Sequence, residues 1–340
     1  MRQRPQVRTV GFKPGERNVF FHILTACNLR CRHCYINPAE HGTQTLSLDK
    51  VSNWLKLFAR PKQETNLILL GGEPTLHVDL PAIIRTAKAL RYAVTVDSNG
   101  YLLNDFLTRI TPDLVDSLSF SLDGPDAVVN DPIRGLGSFQ VCTDNIRRAV
   151  RAGFATSLIY TVSSLNINQL HKMPALLASL GIRRFFIQVI GLRGNPALES
   201  AQGREMWQVP AKKWLDLVPV VAENAASMGI HTIYPKVYLG VDDRFECAGM
   251  AAENYFIFPN GRVYQCPLCE DYPIHSYVID NDKLLHRQGL TEDRFFPLLI
   301  PEGCVMNRLL QPDTISYHAD GLPVHRISCC LLKEEIIPLI

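Results

Sequence analysis

From about residue 19 to residue 237, short apolar runs alternate with segments whose apolar residues recur on one helical face. No other feature narrows the choice of fold as much. Residues 19–24, 66–70, 93–97, 117–122, 157–162 and 184–190 read as strands that are apolar almost throughout. Between the first two, Ser47 is placed to cap a helix with Val51, Trp54, Leu55 and Phe58 on one face. Leu80, Ile83, Ile84, Ala87 and Leu90 mark the next helix, and Phe139, Cys142, Ile146, Ala149 and Val150 a later one on which Cys142 reads as a core residue. Strand–helix alternation with continuously apolar strands implies a parallel sheet covered on its faces by helices. Ligands then gather at the C-terminal ends of the strands. Polar residues fall there: Gly71-Gly72-Glu73-Pro74, Ser98-Asn99-Gly100, Ser121 with Asp123-Gly124-Pro125, and Gln188. Each is also an ordinary turn or cap composition.

The first strand runs into Cys27-Asn28-Leu29-Arg30-Cys31-Arg32-His33-Cys34. Three thiolates on one tight loop suit three corners of a [4Fe–4S] cubane, which normally takes four cysteines. One iron would then stay open to a substrate or cosubstrate. The competing readings are a zinc knot with its fourth ligand elsewhere and three unrelated cysteines; zinc loops favour CxxC pairs, so the CxxxC leg speaks against zinc.

With the Gly71-Gly72-Glu73-Pro74 turn some forty residues downstream, this run resembles the signature of the radical S-adenosylmethionine (radical SAM) enzymes. The resemblance implies a partial (β/α)6 TIM-like barrel over residues 19–237, after a lead-in over 1–18. It implies that Cys27, Cys31 and Cys34 bind the cluster and that Gly71, Gly72, Glu73 and Pro74 receive the methionine amino group of SAM. Two glycines permit close backbone approach, and Glu73 with nearby carbonyls offers acceptors for an ammonium. Ser98, Asn99, Ser121 and Asp123 fall at the strand ends facing that ligand. Asp131-Pro132-Ile133-Arg134-Gly135 is similar to the stretch of radical SAM maturases that reaches the SAM ribose and carboxylate, with Arg134 able to grip a carboxylate bidentately. His33 stands where the family usually has an aromatic residue against adenine.

Six of the ten cysteines lie between residues 247 and 330. Asn260-Gly261 between the apolar runs 255–258 and 262–265 is a hairpin signal, and the hairpin would return Cys266 towards Cys247. Thirteen residues separate Cys247 from Gly261 and four separate Gly261 from Cys266. This resembles the opening of the SPASM and twitch extensions, which carry auxiliary iron–sulfur clusters, so residues 238–340 read as such a region. Cys269 follows Cys266 at CxxC spacing, but the next cysteines are Cys304, Cys329 and Cys330. The full SPASM pattern is therefore broken, and one auxiliary cluster is expected rather than two. Its ligands are Cys247, Cys266 and Cys269, with Cys304, Cys329 and Cys330 competing for the fourth place. Adjacent cysteines point apart, so only one of the last two is expected to bind, with Cys304 and Cys330 preferred. A structural zinc on the same thiolates is the alternative.

Composition limits the remaining choices. With 340 residues, 46% of them hydrophobic, the chain can bury a large core. Net charge is +2, and no block of like charge suggests a nucleic-acid or membrane patch. The N-terminus has Arg2, Arg4 and Arg8 without an apolar stretch after them, and no run reaches membrane-spanning length. Ten cysteines without an export signal read as metal ligation in a reducing cytoplasm.

The resemblance implies an oxidoreductase of the maturase type. It would cleave SAM reductively to a 5′-deoxyadenosyl radical and abstract hydrogen from a peptide or protein side chain. A flavodoxin or ferredoxin would serve as reductant. Radical modification of a small molecule or tetrapyrrole is the enzymatic alternative, and a non-catalytic iron–sulfur protein the other. Only about eighteen residues precede the first strand, which leaves no room for a separate peptide-recognition domain. Where sulfatase-maturing relatives carry a basic aspartate after the cysteine corresponding to Cys266, this chain has Pro267, with Glu270 and Asp271 a little later. No catalytic acid or base is assigned from sequence.

Overall fold

The computed structural model describes residues 7–103, 105–204, 206–240 and 242–338. Arg2 and Arg4 lie outside the described residues. The six expected strands are present as β2 (Arg17–His22), β3 (Thr65–Leu70), β4 (Tyr92–Ser98), β5 (Ser117–Ser121), β6 (Thr156–Val162) and β7 (Arg184–Val189), following a short β1 (Val7–Val10). Neighbours from β2 to β7 pair in parallel, in chain order. The architecture is the expected partial TIM-like barrel, and it extends beyond six strands. β8 (His231–Pro235) continues the parallel run next to β7.

The chain after residue 238 builds onto both edges of this sheet. A two-residue β9 (Tyr238–Leu239) pairs outside it with β14 (Arg326–Ile327). β10 (Glu253–Ile257) lies parallel to β2, and β11 (Arg262–Tyr264), β12 (Tyr277–Asp280) and β13 (Lys283–His286) follow as antiparallel neighbours. On the far edge, β15 (Lys333–Ile336) joins antiparallel to β8 and carries β1. One thirteen-stranded sheet results, so the barrel strands and the cysteine-rich strands are hydrogen-bonded together. The Asn-Gly signal is realised: Gly261 takes φ +87° and Phe256 faces Tyr264 across the hairpin.

The strands are less uniformly buried than their composition suggests. In β3 and β4 buried residues alternate with half-buried ones, Val94 and Val96 against Thr95 and Asp97. The buried set meets the helices, whereas the other set faces the inside of the barrel, where polar side chains are accommodated. Ser47 does cap the Leu48–Phe58 helix, its hydroxyl accepting from Lys50 N at 3.3 Å, and Val51, Trp54, Leu55 and Phe58 are buried as expected. Each such large side chain contributes about 1.5–3 kcal/mol on burial. Cys142 is a core residue on the Ser138–Arg151 helix. A second apolar cluster, with Phe256, Phe258, Tyr264, Leu268, Met306 and Ile327, surrounds Cys269 and Cys304. Among the described residues, no helix is long and apolar enough to cross a membrane.

Candidate radical-chemistry centre

The cysteine loop is fastened to the strand ends from several sides. Gly72 N donates to Leu24 O at 3.0 Å and Glu73 N to Ala26 O at 2.9 Å, which bolts the Gly-Gly-Glu-Pro turn against the residues just before Cys27. A Cβ at Gly72 would sit 2.2 Å from Ala26 O, and one at Gly71 2.3 Å from Leu24 O. The close approach that demands glycine is therefore to the cysteine loop itself. Pro74 opens a 3-10 turn and is buried. The buried Glu73 carboxylate accepts from Thr75 N at 3.1 Å, Thr75 Oγ1 at 2.6 Å, Ser98 Oγ at 2.8 Å and Asn99 N at 2.7 Å. Burial raises its pKa while those bonds oppose the rise. Asn99 Nδ2 donates to Asn28 Oδ1 at 2.9 Å and stands 3.7 Å from Cys27 Sγ. Glu73, Ser98 and Asn99 thus form one hydrogen-bonded shelf beside Cys27.

The opposite wall is built around Asp123, which is wholly buried. Its Oδ2 accepts from Arg134 Nε at 2.5 Å and lies 3.0 Å from His33 Nε2; its Oδ1 accepts from Thr161 N at 2.8 Å. The Arg134 and His33 partners hold the carboxyl well below the usual range, overcoming the opposite effect of burial. Sequence order places Asp123 among groups facing a ligand, but in the fold it stands behind Arg134 and His33 and orients both. Arg134 sits beside Cys31, whose Sγ is 3.7 Å from the Arg134 carbonyl oxygen. His33 Nδ1 is buried without a partner. Ser121 closes β5, and its carbonyl faces Cys142 Sγ at 3.9 Å.

This donor set fits a cluster held by thiolates. Cys27, Cys31 and Cys34 are free thiols, burial pushes the Cys31 thiol up to about 12, and Leu29 N donates to Cys27 Sγ at 3.4 Å. Arg134 and Arg30 add positive charge that favours the anionic form. Among the described residues, no three His, Cys, Asp or Glu side chains converge as ligands of a single metal ion.

All six C-terminal cysteines belong to one neighbourhood. Cys266 and Cys269 flank the Pro267–Cys269 turn, and Cys329 and Cys330 are adjacent in the chain. Cys304 feels Cys266, Cys329 and Cys247; Cys330 feels Cys266 and Cys304. Leu332 N donates to Cys329 O at 2.9 Å, so the backbone turns at this pair. Six thiols are two more than one cubane needs.

Several residues that sequence reasoning did not single out also face the centre. Glu292 is buried and accepts from Gln265 N at 2.6 Å and Cys266 N at 3.0 Å, and burial pushes its carboxyl up to about 7. Tyr35 OH bonds His22 Nε2 at 2.7 Å. Asp97 lines the barrel lumen one residue before the Ser98-Asn99 turn, near Ser119 and Glu73, and burial pushes it up to about 7. For Asp97 alone a signal existed, since a carboxylate ends an otherwise apolar strand.

Residues 22–177 match the model of the radical SAM superfamily. It is 29% identical over 212 residues to pre-heme d1 synthase of Dinoroseobacter shibae, covering 55% of this chain and 52% of that protein. It is 27% identical over 270 residues to the mycofactocin maturase MftC of Mycolicibacterium smegmatis, covering 73% and 63%. The chain thus spans roughly half to two thirds of the length of these relatives. Among solved structures, Streptococcus suis SuiB bound to S-adenosylmethionine superposes with a TM-score of 0.62 at 13% identity, over 80% of this chain and 63% of that one. Native anSMEcpe with bound AdoMet and the Kp18Cys peptide gives 0.61 at 13%, over 88% of both chains. These two likenesses establish a shared fold.

Proposed function

We propose that this protein reductively cleaves S-adenosylmethionine and uses the 5′-deoxyadenosyl radical to oxidise a peptide or protein side chain. The observation that carries the reading is the shelf beside Cys27, where Glu73 N is bonded to Ala26 O and the Glu73 carboxylate to Ser98 and Asn99. A cluster with one open iron supplies an electron and a coordination site. The chain's own residues do the rest. The shelf offers acceptors to an ammonium, Arg134 offers a guanidinium to a carboxylate, and His33 offers a ring face and the unpartnered Nδ1 to adenine. Asp97, in the lumen, is placed to take the proton that leaves an oxidised side chain.

The C-terminal cysteines are read as ligands of an auxiliary [4Fe–4S] cluster in a twitch- or SPASM-like region, able to accept the electron released on substrate oxidation. A peptide substrate is supported by the relative named as a maturase. A flavodoxin- or ferredoxin-type donor and a cytoplasmic setting complete the reading. A tetrapyrrole or other small molecule is the second reading, favoured by the relative named pre-heme d1 synthase.

The test is anaerobic incubation of the reconstituted, reduced protein with SAM and each short peptide encoded beside its gene. Formation of 5′-deoxyadenosine together with loss of hydrogen pairs from one peptide supports the proposal. Peptide-independent turnover that responds to a tetrapyrrole transfers it to the second reading, and no 5′-deoxyadenosine at all overturns both.

A further inference from the structure

The segment that leads from β7 into the Asn195–Ala201 helix is wedged between the two cysteine groups, and residues 193–195 reach both of them. On one side, Asn195 N donates to Cys34 O at 2.9 Å and Asn195 Nδ2 to Cys31 O at 3.1 Å. Gly194 has φ +55°, and a Cβ there would sit 2.5 Å from Cys34 O. On the other side, Gly194 N donates to Asp271 Oδ2 at 2.6 Å. Arg193 spans the wedge. Its guanidinium lies 4.9 Å from the centre of the Tyr35 ring, next to Cys34, while Nη1 donates to Pro267 O at 2.7 Å and pairs with the buried Glu270 carboxylate. Pro267 lies inside the Cys266–Cys269 turn. The half-buried guanidinium, with a ring on one face and two oxygens at its edge, is held in a defined pose. Its Nε is buried without a partner, and its charge reaches Cys330.

We propose that Arg193 is a positioning residue that locks the C-terminal cysteine turn onto the N-terminal cysteine loop and thereby fixes the spacing and electronic communication of the two sites. The second half of this statement rests on the reading that the C-terminal cysteines hold an iron–sulfur cluster. A cation this close also favours the reduced, more negative state of that cluster. Glu270 and Asp271 are the complementary side of the lock. They receive the wedge, instead of replacing the aspartate that Pro267 displaces.

The test compares the full chain with Arg193→Met and with the milder Arg193→Lys. Amide hydrogen exchange on metal-free protein is expected to quicken roughly tenfold or more around residues 31–37 and 266–271 together in Arg193→Met, since the cation–π contact is lost from the first and charge-assisted bonds from the second. Arg193→Lys keeps charge without the fork and should show a smaller change. Iron analysis and electron paramagnetic resonance of the reconstituted, dithionite-reduced proteins then read the second half. With iron at the wild-type level, Arg193→Met should lower the potential of the second cluster and reduce its magnetic interaction with the first, while substrate-free SAM cleavage stays within about twofold. Exchange that quickens in one loop alone, or in neither, overturns the lock. Unchanged potential and line shape at full iron content overturn the coupling. About four irons in the wild type would instead refute the auxiliary cluster and leave the exchange result to decide the lock. If Arg193→Met does not fold, Arg193→Lys decides by the same criteria.

Discussion

Asp123→Asn is the substitution with the most calculable consequence. Two cationic or potentially cationic donors, Arg134 Nε and His33 Nε2, meet on Oδ2, and Thr161 N binds Oδ1. An asparagine has one acceptor oxygen and one NH2, so whichever way it lies a donor faces a donor. If the oxygen serves Arg134 and His33, the amide confronts Thr161 N; if it serves Thr161, the amide confronts Arg134 and His33; either way Arg134 is left buried without a counter-charge. Removing one partner of a buried ion pair costs about 3–5 kcal/mol. The retained shape and single acceptor place this case near the lower end, about 3 kcal/mol, against a typical total of about 5–15 kcal/mol.

The assay is urea unfolding of metal-free protein, paired with SAM calorimetry on the cluster-loaded form. We expect about 3 kcal/mol of lost stability and at least roughly tenfold weaker SAM binding, because Arg134 and His33 lose their common anchor. Adding Arg134→Met should recover part of the stability but none of the SAM affinity. The effect has a definite pH course. The carboxyl is held below its ordinary value of 3.8, so its stabilising contribution is complete above about pH 4 and is lost as pH falls through the depressed folded value. The gap between variant and wild type must therefore close in acid. A loss below about 0.5 kcal/mol at neutral pH would refute the account of Asp123 as the anchor of this wall.

Asp97 should show the opposite pH course. Its folded value is raised from 3.8 to about 7, so stability is greatest below about pH 4 and declines as pH rises towards 7. Asp97→Asn is expected to flatten that decline and to stabilise the protein at pH 8 by on the order of 1 kcal/mol, while SAM cleavage continues and substrate oxidation is lost; a variant with the wild-type pH profile contradicts the assignment. Glu73→Ala should weaken SAM binding roughly ten- to a hundredfold without loss of iron, as read by calorimetry and iron analysis. Cys27, Cys31 and Cys34 replaced together by Ala should abolish SAM cleavage, whereas Cys247 with Cys266 should leave some cleavage and remove turnover.

The fold was readable because its signals are local. An apolar run such as 66–70 followed by a glycine pair needs nothing distant to be read as a strand ending at a ligand edge, and Ser47 three residues before Lys50 announces its own cap. β10 is legible as half of a hairpin, yet its place beside β2 is not. A strand's partner across more than two hundred residues depends on which edge is free, and that is settled by the barrel's failure to close. The same applies to β8, whose His231-Thr232-Ile233 start carries polar residues that mask it.

The centre divides along the same line. The cysteine loop and the Gly-Gly-Glu-Pro turn were legible as spacings, and the structure adds a reason for both glycines, the carbonyls of Leu24 and Ala26 lying where their Cβ atoms would be. Asp123 was legible as a residue at a strand end but not in its orientation: a turn composition says where a carboxylate sits along the chain, and only the Ala127–Arg134 helix folding back determines that it faces Arg134. Arg193 had no local signal at all. A single arginine in Gly191-Leu192-Arg193-Gly194 acquires meaning from Tyr35 and Glu270, which lie more than seventy residues away on either side. Motifs report the residues that a ligand selects directly. Residues that hold two such motifs at a fixed distance are chosen by the geometry between them, so the ties between the two cysteine groups emerge only when the chain is folded.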